Sequence, residues 1–307
     1  MSPSPPGTLR TWLLAIRPAT LPASQSGVLV GLGAAVAGGA PFRPDTALGC
    51  VAIAFLLQSA ANMANDLSDF RRGADTPDRL GPTRVAASGL VTARQLEGAI
   101  AVALVIATAI GGWLATIGGP GVVALGIAAI VALLAYTGGP FPYGYHGLGE
   151  LFVFLFFGPA AVVGTAALQS GTIEPLYFLA AIPVGSLATA ILVVNNLRDT
   201  STDRAASKRT LAVIFGEGFA RAEYLGCLIV AWAVPVGLVA AWAAGASVAA
   251  GPPALLPLLA IPIAVPLWRT VRADAEPRRL NQVLRGTARL TFVFGVLFAA
   301  GMAASAG

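Results

Sequence analysis

The sequence predicts an all-α integral membrane protein with nine transmembrane helices, and its composition and hydropathy both point to that class. Of its 307 residues, 56% are hydrophobic and only 11% are charged, whereas soluble domains carry about 25% charged residues. The mean hydropathy is +0.78. The 36 glycines and 22 prolines lie between and within apolar runs, which is not the pattern of a disordered chain. A soluble domain and a low-complexity chain are therefore both excluded.

Nine apolar windows approach the roughly 20 residues that a membrane-spanning helix needs. We expect one domain over residues 1–307, with residues 1–10 as a flexible tail and no cleaved signal peptide. The fourth window is the shortest, and five prolines predict a kink in the eighth. The windows are Pro18 to Gly39, Thr46 to Ala64, Leu96 to Ile117, Val122 to Tyr136, Leu148 to Leu168, Leu176 to Val194, Tyr224 to Ala244, Pro253 to Trp268 and Thr287 to Ala304.

The basic residues predict the orientation of these helices. Lys and Arg accumulate in cytoplasmic loops, and nine spans with a cytoplasmic N-terminus place every one of the 19 Lys and Arg residues except Arg43 on the cytoplasmic side. A miscounted helix would destroy this asymmetry, because every later loop would change sides. The long cytoplasmic loops are therefore where we expect the chemistry. The basic residues form no face interleaved with aromatic residues, so nucleic acid is not an expected partner.

Two acidic clusters lie at cytoplasmic helix ends. The first lies where the second window meets its loop and contains Asn62, Asn65, Asp66, Asp69, Asp75 and Asp78. The second contains Asn195, Asn196, Asp199 and Asp203, and its i, i+4, i+8 spacing predicts that Asn195, Asp199 and Asp203 share one helical face. The repeat of Asn-x3-Asp four helices later hints at a duplicated four-helix unit, with two polar faces that approach each other across a cavity.

Carboxylates at this depth need compensation, because an Asp at the centre of a membrane helix costs about 2.5 to 3.5 kcal/mol. Two cysteines and one histidine cannot form a Cys-rich zinc site, so a metal would be held by oxygen. Mg²⁺ suits such ligands and usually binds substrate phosphates as well. Nearby basic residues could neutralise a diphosphate.

Two other interpretations stay open at this level. The acids could be solvated loop charges paired with arginines, or they could belong to an ion-coupled secondary transporter, whose sites lie near the middle of the membrane. Here the acids gather at the cytoplasmic helix ends beside basic residues and asparagines. This arrangement favours diphosphate chemistry.

The motifs resemble a known family. Asn65-x3-Asp69-x5-Asp75 and Asn196-Leu-Arg-Asp199-x3-Asp203, with Arg17-Pro18-x2-Leu21-Pro22 upstream, are similar to the UbiA superfamily of membrane-bound aromatic prenyltransferases. The stretches Tyr136 to Gly158 and Val194 to Val213 resemble its MenA branch, the 1,4-dihydroxy-2-naphthoate polyprenyltransferases. Many superfamily members place the third Asp at the position of Gly73, whereas the quinone-forming branch shares the longer spacing to Asp75. The resemblance covers about Arg17 to Gly216.

The resemblance implies a UbiA-type fold of nine helices around a central cavity, in the cell (inner) membrane and with the active site facing the cytoplasm. It implies Mg²⁺-dependent transfer of a polyprenyl group from polyprenyl diphosphate to 1,4-dihydroxy-2-naphthoate, with decarboxylation. Prenyl transfer to 4-hydroxybenzoate or homogentisate is the alternative within the family. The protein is expected to contact membrane lipid. The sequence does not specify its oligomeric state or the length of the prenyl chain.

The same resemblance assigns roles to individual residues. The expected metal ligands are Asp66, Asp69, Asp75, Asp199 and Asp203. The expected catalytic residues are Asp69, Asp199, Asp203, Asn65 and Lys208. The expected substrate-binding residues are Arg17, Asn62, Arg72, Arg79, Arg84, Tyr136, Tyr143, Asn195, Asn196 and Arg209. Glu150, at the start of an apolar helix, is either a partner for the helix dipole or a site residue.

Overall fold

The computed structural model describes residues 8–73, 81, 84–248, 250–273 and 276–305, and every regular element in these ranges is helical. The expected all-α class is confirmed. We number the helices in chain order. They are α1 (Leu9–Ile16), α2 (Leu21–Ala37), α3 (Pro44–Arg71), α4 (Ala93–Gly118), α5 (Pro120–Ala135), α6 (Gly149–Ser170), α7 (Pro175–Arg198), α8 (Thr200–Ala205), α9 (Leu211–Phe215), α10 (Glu217–Ala243), α11 (Pro252–Arg272) and α12 (Pro277–Ala303).

Seven helices of the described chain are long and apolar enough to cross a membrane, and the bent pair α1 and α2 makes an eighth if it counts as one span. The remaining predicted span, the fourth window, corresponds to α5, an apolar helix of 16 residues. At 1.5 Å per residue α5 is about 24 Å long, shorter than the hydrocarbon core of about 30 Å. Each predicted window therefore has a helix, but the count of nine full spans is not reproduced.

The first window is broken instead of continuous. Helices α1 and α2 meet at an angle of 58°, because Arg17 adopts a left-handed conformation (φ 53°) just before Pro18. The Asn62 side chain secures this break by donating to the Ile16 carbonyl oxygen at 2.8 Å and to the Thr20 hydroxyl at 3.0 Å. The break thus depends on a contact with α3.

Several helices extend beyond their apolar windows at the predicted cytoplasmic end. Helix α3 continues to Arg71 and α12 begins at Pro277, ten residues before the predicted start. The polar residues Asn65 to Asp69 are therefore helical. The segment through Asn195, Asp199 and Asp203 is not one uninterrupted helix, since α7 ends at Arg198 and Asp199 (ψ 8°) separates it from α8. The i→i−4 hydrogen bonds of the backbone nevertheless continue from residue 195 to 199 and from 199 to 203.

Small residues allow close helix packing at the centre. A Cβ atom added at Gly27 or Gly31 of α2 would lie 2.6 Å from backbone oxygens of α6. On the other side of α2, Ser26 packs against Gly295 of α12. Gly27 and Gly31 therefore serve the close approach of α2 and α6. Helix α7 is the most buried span.

Prolines and local packing also distort two spans. Residues Pro252–Ala260 of α11 form a 3₁₀ helix, where prolines remove the N–H donors that an α-helix needs. In α6, the segment Phe156–Ala160 is a π-helical turn containing Pro159. This turn lies at the wall of the cavity described below.

Candidate active site

A single face of α3 runs from an apolar cavity to the first acidic cluster. The cavity-lining residues of this helix recur at helical spacing and are Cys50, Ile53, Ala54, Leu57, Gln58, Ala61, Asn62 and Asn65. Asp69 follows Asn65 by four residues and so continues the same face. From Cys50 to Asn65 the face extends about 22 Å at 1.5 Å per residue. The sequence pattern of α3 therefore connects a long apolar space with a polar end.

The cavity has a volume of about 490 Å³ and its remaining walls come mainly from α4, α5 and α6. Its polar end carries Asn65 and two of the expected tyrosines. Tyr143 packs edge to face on Tyr136, with ring centroids 5.3 Å apart, and stacks on Phe152 at 4.1 Å. The volume is within the range of about 300 to 1,000 Å³ typical of ligand pockets. Aromatic faces therefore line the boundary between the apolar space and the charged residues.

Asp69 is the centre of the first cluster. It is 9% exposed, and its carboxylate accepts hydrogen bonds from Arg84 at 2.8 Å and from the Tyr145 hydroxyl at 3.1 Å. Burial is the main cause that raises the pKa of Tyr145, and the negative charge of Asp69 is the second. Tyr145 therefore keeps its proton and acts as a hydrogen-bond donor.

Asp66 has different partners from Asp69. Its two carboxylate oxygens accept the backbone N–H groups of Val85 at 3.0 Å and Ala86 at 3.3 Å. Asp66 is only 1% exposed. It thereby fixes the turn that carries Arg84, so a structural role is visible for this predicted metal ligand.

The second cluster is organised by a buried arginine. Arg198 is 2% exposed and donates to both carboxylate oxygens of Asp199, at 2.8 and 2.5 Å. It also donates to the side-chain oxygens of Asn195 and Asn281, both at 2.8 Å. Such a bidentate pair holds the carboxylate in one orientation.

Asp203 retains an unsatisfied oxygen. Lys208 contacts its Oδ1 at 3.3 Å, whereas its buried Oδ2 has no hydrogen-bond partner among the residues described. Burial is the main cause that raises the pKa of Asp203 to about 6; the Lys208 charge lowers it, while Asp199 and then Asp69 add to the rise. The three carboxylates are therefore close enough to repel one another, and a cation between them would relieve that repulsion.

Tyr145 joins the two clusters. Its hydroxyl contacts Asp69, and its backbone oxygen accepts the N–H of Arg209 at 3.0 Å. The guanidinium of Arg72 and the ammonium of Lys208 lie 5.5 and 5.7 Å from the centroid of its ring, within the range of cation–π contacts. One loop tyrosine therefore connects the end of α3 with the segment that follows α8.

The donor set is compatible with Mg²⁺, although no preformed cluster of three His, Cys, Asp or Glu ligands occurs in the described part of the chain. The unpartnered Asp203 Oδ2 lies near two further carboxylates, and all of these atoms are hard oxygen donors. Mg²⁺ usually takes one or two carboxylates and completes its coordination with water and phosphate oxygens. Asp69 and Asp199 are engaged by arginines, so Asp203 offers the most available oxygen.

The other predicted residues take several positions. Asn65 accepts the Thr137 hydroxyl at 3.0 Å, and Arg72 donates to the backbone oxygens of residues 137 and 139. Asn62 and Arg17 lie at the break between α1 and α2, although Asn62 also lines the cavity. The Arg209 side chain is exposed. Asp75 and Arg79 lie outside the described residues.

Tyr145 and Arg198 are not among the site residues predicted above, and for Glu150 the sequence left two roles open, a partner for the helix dipole or a site residue. Asn196 donates to Glu150 Oε1 at 2.7 Å and so links α7 to α6. The sequence contains a signal for two of these residues, because Glu150 is an acid in an apolar run and Arg198 lies inside the second motif. Their contacts with Asn196, Asp69 and Asp199 depend on tertiary packing.

Known proteins match both the sequence and the fold. A model described as the UbiA prenyltransferase family matches residues 26–293. The chain is 38% identical to a 1,4-dihydroxy-2-naphthoate octaprenyltransferase of Mycobacterium tuberculosis, over 95% of this chain and 96% of the relative. It is 35% identical to the protein of the same description from Escherichia coli, over 95% of each chain.

A solved structure shares the fold at low sequence identity. It is a UbiA homolog from Archaeoglobus fulgidus bound to GPP and Mg²⁺, with a TM-score of 0.57, 14% identity and coverage of 94% of this chain and 99% of that one. At this identity the match establishes the fold alone. The helical arrangement around the cavity therefore has an experimental counterpart.

Proposed function

The chain belongs to the UbiA prenyltransferase family, and we propose that it transfers a polyprenyl group to 1,4-dihydroxy-2-naphthoate with loss of carbon dioxide, giving a demethylmenaquinol for menaquinone biosynthesis. The observation that carries this function is the approach of two acidic clusters, bridged by Tyr145, beside the polar end of an apolar cavity that Asn65 and Tyr136 line. The relatives named above supply the acceptor. The cavity suits the prenyl chain, because it continues the face of α3 that bears Asn65 and Asp69.

We propose that Asp69, Asp199 and Asp203 hold Mg²⁺ at the diphosphate. When bound, the metal would neutralise negative charge that develops on the leaving diphosphate. Asp66, whose oxygens contact backbone amides, would instead position Arg84. The solved family member with GPP and Mg²⁺ supports this assignment only through its fold.

Basic side chains around these carboxylates would bind the diphosphate oxygens. Arg72 and Lys208 already flank Tyr145, and Arg84 contacts Asp69. Charge-assisted contacts of this kind are stronger than neutral hydrogen bonds, and they stabilise a leaving anion most where water is excluded. Arg209, whose backbone N–H contacts Tyr145, would extend the same positive surface, and Arg79 stays a predicted ligand of the diphosphate.

The cavity residues would shield the reacting allylic carbon. The faces of Tyr136 and Tyr143 at its polar end can stabilise positive charge through their π electrons, and the apolar walls keep water away from a reactive cation. The naphthoate ring would attack this carbon, and departure of the carboxyl group would restore aromaticity. We place the active site on the cytoplasmic face of the cell membrane, because nearly all basic residues lie at that end.

The test is an acceptor panel with one prenyl diphosphate and Mg²⁺ in detergent, where no membrane gradient exists. Naphthoate labelled at its carboxyl carbon should release labelled carbon dioxide in proportion to the prenylated product. A product that retains the label, or turnover with 4-hydroxybenzoate alone, would overturn the choice of acceptor. Failure to consume prenyl diphosphate with any acceptor would contradict the prenyltransferase assignment itself.

A further inference from the structure

Glu150 is a carboxylate buried at the start of an apolar helix. It is the second residue of α6 and is 5% exposed. Acidic residues within transmembrane segments are costly and commonly serve function. The chemistry proposed above does not use Glu150.

The hydrogen bonds of Glu150 leave two acceptors unsatisfied. Asn196 Nδ2 donates to Glu150 Oε1 at 2.7 Å. Glu150 Oε2 and Asn196 Oδ1 are both buried, and neither has a partner among the described residues. A buried acceptor without a donor costs about 1 to 3 kcal/mol. Two such oxygens on one hydrogen-bonded pair indicate a ligand that brings O–H or N–H groups.

The pair lies next to the aromatic end of the cavity. A Cβ atom at Gly149 would be 3.5 Å from the Tyr136 ring and 3.7 Å from its hydroxyl oxygen. Tyr136, Phe152 and Val153 all line the cavity. Tyr136 also interacts electrostatically with Glu150. Lys208 and Glu223 are the other charged groups that interact electrostatically with Glu150.

We propose that Glu150, oriented by Asn196, binds a hydroxyl group of the aromatic acceptor and takes its proton as the ring attacks the prenyl carbon. This inference rests on the proposed prenyl transfer to a dihydroxynaphthoate. It assigns a proton acceptor to the reaction and places the hydroxyl edge of the acceptor against α6 and α7. The acidic clusters then serve the diphosphate alone.

The proton and electrons balance without a further reactant. The C–O bond of the prenyl diphosphate breaks, and a C–C bond forms at the ring carbon that bears the carboxylate, while the adjacent hydroxyl gives its proton to Glu150 and becomes a ketone. The bond to the carboxylate then breaks, carbon dioxide leaves, and its electron pair restores the aromatic ring. The ketone oxygen recovers the proton from Glu150. The residue is thus regenerated in each turnover.

The decisive variant is Glu150→Gln, which keeps the side-chain shape and an oxygen that can accept the Asn196 N–H but cannot take a proton. The expected kcat with 1,4-dihydroxy-2-naphthoate falls about 10²- to 10⁴-fold, the usual contribution of a general base. Binding of a non-cleavable prenyl thiodiphosphate with Mg²⁺ should be unchanged. Glu223→Gln is the matched control, since Glu223 is another partly buried carboxylate close to Glu150; its kcat should stay near wild type.

Each outcome decides the inference. Near-wild-type kcat in Glu150→Gln would overturn it, as would a loss of thiodiphosphate binding or a shifted Mg²⁺ dependence, because either would make Glu150 structural or part of the metal site. Glu150→Asp, which keeps a carboxylate, should be more active than Glu150→Gln. These measurements presuppose that the wild-type protein releases carbon dioxide from the naphthoate; if it does not, the proposed function fails, and not merely the role of Glu150.

Discussion

At the scale of single residues, the partners of each carboxylate distinguish a structural role from an available ligand. Asp66 and Asp203 are 1% and 8% exposed. Both oxygens of Asp66 accept backbone N–H groups, whereas Asp203 keeps one oxygen without a partner in the described chain. Because both carboxylates are buried, their exposed fractions alone would not distinguish the structural role from the available ligand.

We expect Asp203→Asn to abolish turnover and Asp66→Asn to reduce stability. The first change removes a charge from the proposed metal site, and a loss of about 10²-fold or more in kcat is typical when such electrostatic stabilisation is removed. The second leaves one backbone N–H without an acceptor, which costs about 1 to 3 kcal/mol. Thermal unfolding in detergent and the Mg²⁺ dependence of turnover distinguish the two effects. A normal Mg²⁺ dependence in Asp203→Asn would remove Asp203 from the site.

At the scale of elements, the loop between α5 and α6 connects two helix ends that are far apart in sequence. Tyr145 contributes a hydroxyl to Asp69, a ring to Arg72 and Lys208, and a backbone oxygen to Arg209. The hydroxyl and the backbone oxygen make hydrogen bonds, whereas the ring makes cation–π contacts. The loop therefore positions the site while contributing no carboxylate of its own.

Tyr145→Phe should weaken the site moderately, because the ring remains while the hydrogen bond to Asp69 is lost. A hydrogen bond to a charged group contributes about 1.5 to 3 kcal/mol, equivalent to roughly 10- to 150-fold in binding. We expect a weaker apparent affinity for prenyl diphosphate with Mg²⁺, measured by titration. Tyr145→Leu should be worse, since it also removes the ring beside the two cations. Equal affinity in the Phe variant and the wild type would exclude a role for the hydroxyl.

Close packing of α2 against α6 is a second property of the elements. A methyl group at Gly27 would meet Ala161 Cβ and the Phe157 backbone oxygen, both at 2.6 Å. Gly237 of α10 has nothing within 4 Å of its Cβ position. Gly27→Ala should therefore lower stability by about 1 to 3 kcal/mol through overpacking.

The matched change Gly237→Ala should be neutral or slightly stabilising, because alanine favours a helix over glycine. Thermal unfolding of both variants in the same detergent measures the difference. Similar melting temperatures for the two would show that α2 can move away from α6 without cost. Such a result would contradict the close packing seen at Gly27.

At the scale of the whole molecule, the basic residues predict that successive helix ends alternate between the two sides of the membrane. The loops that contain Ala206 and Ala273 lie at the end that carries the acidic clusters, whereas Thr172 and Ala246 lie in loops at the other end. In a background lacking Cys50 and Cys227, a membrane-impermeant thiol reagent should label single cysteines at Thr172 and Ala246 in intact cells. Cysteines at Ala206 and Ala273 should react only after permeabilisation. The opposite pattern would invert the proposed orientation.

The sequence alone determined the class, the approximate positions of the helices, their expected orientation and the two clusters that carry the proposed chemistry. These properties follow from local composition: apolar windows specify helices in a membrane, and polar residues at helix ends stand out against them. The resemblance that named the family also needed only linear motifs, and the family match confirms it.

Only the tertiary structure decided which polar atoms are satisfied and which remain available. Asp66 and Asp203 belong to similar motifs, yet they differ because a turn at residues 85 and 86 reaches one of them and nothing comparable among the described residues reaches the other. The pairing of Glu150 with Asn196 likewise depends on a contact between distant segments. Hydrogen-bond partners form across helices, so spacing along one chain cannot specify them.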